Sequence, residues 1–133
     1  KISTYNEFAN KIKKNKKNFF DIAYKHNFFK KNIIGYGAPA KVTTFLSYYN
    51  FPEESIKFII DDSKIKKNMY LPCHNIQIKN FEILFRTDFD IIIIFAWNFK
   101  ESIINKLKLL NKNFKIIIPF PKTKIIKIEN ANK

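Results

Sequence analysis

The apolar positions Tyr5, Phe8, Ile12, Phe19 and Ala23 recur at roughly helical spacing, and the lysines from Lys11 to Lys17 lie off that stripe. The pattern predicts a long first helix over TYNEFANKIKKNKKNFFDIAYKH, with a solvated lysine face and with Thr4 and Glu7 at capping-box spacing. The period then changes. NIIGYG is a short unbroken apolar run and reads as a buried strand. In APAKVTTFLSYYN, Val42, Phe45, Leu46 and Tyr49 follow the i, i+3, i+4, i+7 rule, and Pro39 sits in the first turn of that helix, where a missing N–H costs nothing. IKFIIDD predicts a second strand that ends in two acids, and FEILF predicts one or two helical turns after an Asn80 cap. DIIIIFA is the third strand, and its continuous aliphatic run implies burial on both faces, as in a parallel sheet. Asn98 as cap, with Glu101 three residues on, opens a helix over FKESIINKLKLLNK whose apolar stripe is Ile103, Ile104, Leu107 and Leu110. FKIIIPFP is the fourth strand, terminated by Pro119 and Pro121, and KIIKI reads as a short last strand. The stretch SKIKKNMYLPCHNIQIKN has no period and reads as an irregular loop near the strand ends.

Strands that alternate with helices imply right-handed crossovers and helices on both faces of a parallel sheet. The expected fold is therefore α/β: a single three-layer Rossmann-like domain over residues 1–133, with a mostly parallel sheet of four to five strands and residues 1–30 as a leading helix. Such sheets bind ligands beyond the carboxyl ends of their strands. Four segments converge there: Gly35 to Lys41, Asp61 with Asp62, Ala96 to Asn98, and Pro119 to Pro121.

Composition changes this picture little. The chain has 133 residues, 46% hydrophobic and 27% charged, as expected of a globular domain. The longest apolar run, IIIIFAW from Ile91, is too short to span a bilayer. The start KISTYNEFANKIKKNKK lacks the apolar stretch of a signal peptide, and without an initiator methionine the chain reads as a piece of a longer polypeptide. The formal charge of +14 comes almost wholly from lysine, and Arg86 is the only arginine. Lys, Asn, Ile and Phe share A/T-rich codons, so codon bias explains the set. Nucleic-acid sites favour Arg for its planar fork, so no nucleic-acid partner is expected. A basic field would still collect a small polyanion. Cys73 is the lone cysteine and His26 and His74 are the only histidines, which leaves no disulfide framework and no zinc cluster and fits a cytoplasmic setting.

Gly35, Gly37 and Ala40 match G-x-G-x-x-G/A between a strand and a helix. The first glycine permits the tight turn, the second a close approach of a diphosphate, and the third position the packing of helix on strand. Lys41 in the first helical turn opposes the helix dipole, and a bound phosphate reverses the sign of that effect. Asp61 and Asp62 end the next strand, where an acid would meet a ribose hydroxyl. Trp97 offers a stacking surface, Asn98 a cap or a ligand contact, and Tyr36 lies between the two glycines. By spacing, no pair forms a nucleophile and base, and no residue stands out as a general base.

GYGAPAK followed by IIDD, YLPCHNIQI and FAWNF resembles the C-terminal domain of SAM-dependent sugar C-methyltransferases, across nearly the whole chain. The family pattern runs approximately GYGAPAKG, a strand ending in DD, PGTHIPI, AWNF or AWNY, and a last strand ending in prolines. The departures are Val42 for a glycine, Cys73 for the glycine after proline, His74 at the threonine position, Asn75 at the histidine position and Gln77 for a proline. The resemblance implies a domain that binds a nucleoside-diphosphate deoxysugar while an upstream domain of the same chain transfers methyl. S-adenosylmethionine and zinc then belong to upstream domains, this domain binds no cofactor or metal, and the fragment alone is inactive. The implied substrate-binding positions are Gly35, Tyr36, Gly37, Ala38, Ala40, Lys41, Asp61, Asp62, Asn75, Trp97 and Asn98, with no catalytic residue among them. The residues alone leave other readings open: an NAD(P)-binding domain of an oxidoreductase, a sugar-nucleotide module attached to an acyltransferase, or a charge-driven nucleic-acid binder.

Overall fold

The computed structural model describes residues 2–37, 39–63, 69–71 and 74–130. Helix α1 (Ile2–Lys25) leads through a 3-10 turn (Phe28–Lys30) into strand β1 (Ile33–Tyr36), followed by α2 (Pro39–Tyr49) and β2 (Ile56–Ile60). A two-residue strand β3 (Ile78–Lys79), a 3-10 helix (Phe81–Arg86) and β4 (Ile91–Ile94) come next. A short 3-10 turn (Trp97–Phe99) runs into α3 (Lys100–Lys108), and β5 (Phe114–Ile118) and β6 (Lys124–Ile128) close the chain.

The six strands form one sheet in the order β3-β2-β1-β4-β5-β6. Every pairing is parallel except β5 with β6, which is antiparallel. The chain thus winds outward from β1 in one direction and from β4 in the other. The boundary between these two strands is the topological switch point, where ligands of such sheets lodge. In register there, Gly35 faces Ile93 and Tyr36 faces Ile94.

Burial explains the continuous aliphatic runs. Strand side chains alternate between faces. Ile33, Ile59, Ile91, Ile93 and Ile117 pack with α1 and α2 through Phe19, Val42, Phe45 and Tyr49. Ile34, Ile60, Ile92, Ile94 and Ile116 pack on the other face with Phe81, Leu84, Ile103 and Leu107. The α2 stripe of Val42, Phe45, Leu46 and Tyr49 is buried throughout. The α3 stripe is buried at Ile103, Leu107 and Leu110, with Ile104 packed at its margin.

Three local expectations are corrected. Helix α1 already runs at Ile2, so Thr4 lies inside its first turn and is not its cap. Asn98 lies within the 3-10 turn, and Phe99 holds the N-cap position of α3. The stretch read as wholly irregular carries β3 and an isolated bridge from Tyr70 to Gln77.

Candidate functional site: the carboxyl edge of the sheet

The turn after β1 owes its shape to the sheet itself. Gly37 adopts φ +80, which only glycine takes without strain, and its N–H donates to the Ile60 carbonyl at 2.7 Å. A Cβ on Gly37 would stand 2.8 Å from the Ala96 Cβ. Gly35 is inside β1, and a Cβ there would lie 2.6 Å from Ile59 Cδ1 and 2.8 Å from Phe95 Cε2. Both glycines therefore have internal reasons, and each lets a neighbouring strand come close.

This turn delivers the N-terminus of α2 to the switch point. The first turn of α2 carries no acid. The first-turn N–H groups and the dipole of a helix favour an anion at such an end. Ala40 is exposed there, and the Lys41 ammonium lies 4.7 Å from the centroid of the Trp97 ring. Such a cation–π contact is worth about 0.5–1 kcal/mol at an exposed site. It offsets the dipole penalty and aims the ammonium across the switch point. Trp97 is half-buried against Phe120 at 5.1 Å between ring centroids, so β4 and β5 both contribute to this surface. Asn98 is exposed beside it.

Tyr36 points to the opposite face. Its ring is 1% exposed, and its hydroxyl donates to Asp62 at 3.0 Å and 3.2 Å from the two carboxylate oxygens. Burial, and then the negative charge of Asp62, push its pKa far above the ordinary tyrosine value, so it remains a proton donor. Lys106 of α3 donates to Asp62 Oδ1 at 2.9 Å and lies 4.5 Å from the Phe81 ring centroid. Asp61 Oδ1 accepts from the Ser63 N–H at 2.8 Å, which closes the turn after β2. Lys106 was missed by sequence reasoning. It sits four elements away from Asp62 in the chain, and nothing in the α3 pattern sets it apart from its neighbouring lysines.

Asn75 is held elsewhere. Its backbone N–H donates to Glu53 Oε1 at 2.7 Å, and the His74 Nδ1 is 2.6 Å from Glu53 Oε2. Glu53 precedes β2, so this contact lies at the amino end of that strand, opposite the glycine turn. The hydrogen bond with His74 holds the Glu53 carboxyl below its usual range. Ala38 and Cys73 lie outside the described residues. The edge thus unites Gly37, Ala40, Lys41, Trp97 and Asn98 at the switch point, places Tyr36, Asp61 and Asp62 beside it, and leaves Asn75 apart. Among the described residues no three acids, histidines or cysteines group to hold a metal, and no helix is long and apolar enough to cross a membrane.

The parallel sheet, with helices on both faces and a switch point between β1 and β4, defines a single domain of the Rossmann-like class. Residues 1–121 match the C-methyltransferase C-terminal domain family, and the chain belongs to that family. It is 29% identical over 102 residues to the C-methyltransferase NovU of Streptomyces niveus, a match that covers 76% of this chain and 24% of that protein. The chain thus spans about a quarter of the length of this curated relative.

Proposed function

We propose that this C-terminal domain binds a nucleoside-diphosphate deoxysugar and holds it for an upstream domain that transfers methyl to a sugar carbon. The observation that supports this most is the joint placement of the Gly37 turn, the acid-free first turn of α2 and the Lys41–Trp97 pair at the switch point. A diphosphate there meets backbone N–H groups and an ammonium. S-adenosylmethionine supplies the methyl group in the upstream part, where zinc is also assigned, and the setting is the cytoplasm. This chain contributes binding and orientation, and by itself transfers nothing.

A dinucleotide reading fits less well. It calls for an acid at the end of β2 that takes a ribose hydroxyl. Asp62 already accepts from Tyr36 and Lys106, so a ribose hydroxyl there competes for its remaining lone pairs. Isothermal titration against a nucleoside-diphosphate deoxysugar and against NAD decides between the two. The sugar nucleotide is expected to bind and NAD is not. Lys41→Ala is expected to weaken the sugar nucleotide about tenfold or more, as loss of a charged hydrogen bond does. Binding of NAD alone would overturn the assignment.

A further inference from the structure

A glycine at φ +80 has no side chain with which to hold its turn, and its backbone is the freest of any residue. The Gly37 turn is held by the residue before it. The Tyr36 carbonyl accepts from the Phe95 N–H at 2.9 Å and from the Ala96 N–H at 3.4 Å, just beyond β4. The Tyr36 hydroxyl donates to Asp62, just beyond β2. The Gly37 N–H donates to Ile60, two residues before Asp62. Tyr36 is thus held from both sides of β1, by main chain toward β4 and by side chain toward β2.

Asp62 has a holder of its own. The Lys106 ammonium donates to its Oδ1 at 2.9 Å and lies 4.5 Å from the Phe81 ring centroid. The Phe81 ring lies 6.4 Å from that of Tyr36, so one aromatic wall backs both partners of the carboxylate. The Asp62 and Lys106 side chains are 51% and 41% exposed, and an ion pair so open adds little to stability. Its consequence lies in what it is joined to. The carboxylate faces a hydroxyl whose residue is 1% exposed and which leads directly into the glycine turn.

We propose that Asp62 and Lys106 are positioning residues for the diphosphate turn. Lys106 holds the Asp62 carboxylate, Asp62 holds the Tyr36 hydroxyl, and Tyr36 sets the direction of the Gly37 turn and of the α2 N-terminus behind it. Neither Asp62 nor Lys106 touches the ligand. The inference rests on the nucleotide-sugar reading above. It adds which residues beside the switch point tune affinity there, and it assigns the acid after β2 to the protein's own turn instead of to a ribose.

UDP carries a ribose and a diphosphate, and inorganic pyrophosphate carries the diphosphate alone. The intact chain and its variants are titrated with both, well below the unfolding midpoint, so that affinity is read on folded protein. Tyr36→Phe keeps the buried ring, and Lys106→Met keeps the stem over Phe81. Tyr36→Phe and Asp62→Ala are each expected to weaken both ligands about tenfold, the scale of one hydrogen bond to a charged group. Lys106→Met is expected to weaken them about threefold, the scale of an exposed ion pair. Lys106→Arg is expected to restore the affinity, because a guanidinium donates to a carboxylate and stacks on a ring. Asp62→Ala added to Tyr36→Phe is expected to weaken binding no further, since the two act in series. The Gly37 amide shift of the ligand-free chain is expected to move in the variants that lose affinity, which lower stability alone does not produce. If Asp62→Ala weakens UDP and spares pyrophosphate, or weakens UDP as much in the Tyr36→Phe chain as in the unaltered one, Asp62 touches the ribose. The inference then fails while the nucleotide-sugar reading stands. It fails equally if no variant weakens either ligand. If the unaltered chain binds neither, the inference and that reading fall together.

Discussion

Gly37 can be replaced only by forcing a side chain into a φ of +80 and against Ala96. Gly37→Ala is therefore expected to destabilise the fold by about 1–2 kcal/mol, read as a lower midpoint in urea. Gly35→Ala overpacks the core against Ile59 and Phe95, at an expected cost of about 1–3 kcal/mol. The glycine spacing is legible in the sequence, but its cause is not. The atoms that demand glycine come from Ile59, Phe95 and Ala96 on neighbouring strands, and register decides who those neighbours are. Tyr36 is a similar case. Its position between the glycines is visible from sequence, while its orientation toward Asp62 follows from the alternation of β1. Its raised pKa means that the folded state keeps a proton which the unfolded state loses near pH 10. Its contribution to stability is present below that pH and falls away as pH rises above it. In an alkaline titration followed at the phenolate band, Tyr36 and Tyr49, the latter also raised by burial, are expected to ionise last, and Tyr36→Phe is expected to reduce that late step by one tyrosine.

Helices α2 and α3 are where pattern and structure agree most closely, because a 3.6-residue stripe needs only one apolar face. Helix α1 shows the limit of that argument. Its C-terminal half is buried at Phe19 and Ala23, while Phe8 on the same stripe is exposed. At about 1.5 Å per residue the helix far outruns the strands it covers, so its early turns reach the carboxyl edge beside Trp97 and Phe120. Periodicity shows which face is apolar and says nothing about how much sheet lies beneath it. Strand β3 escaped notice because two residues carry no period. The segment before it is anchored by Glu53, which accepts from the Asn75 N–H and pairs with His74. The lowered pKa of Glu53 makes that anchor fully effective above the ordinary glutamate range, and it is lost as pH falls through the lowered value. The protection factor of the Asn75 amide against hydrogen exchange, taken relative to the intrinsic rate at each pH, is expected to fall on acidification, and Glu53→Gln is expected to lower it already at neutral pH.

For the whole molecule, alternating strands and helices were enough to anticipate a mostly parallel sheet with both faces covered, and the sheet has a closed apolar core on each face. Strand order placed β1 beside β4, and this brought the glycine turn, Lys41 and Trp97 to one crevice. Asn75, close in sequence to Asp62, went to the far end of β2. Site membership is thus a property of topology more than of motif. The central claim is that the carboxyl edge at the β1/β4 switch point holds a sugar nucleotide. Amide chemical-shift mapping of the ¹⁵N-labelled chain with a nucleoside-diphosphate deoxysugar tests it most directly. The expected result is saturable shifts at Gly37, Ala40 and Lys41 and at the Trp97 indole N–H, with His26, Asp90 and Asn113 at the opposite edge unchanged. Shifts confined to that opposite edge, or none at saturating ligand, would contradict the account.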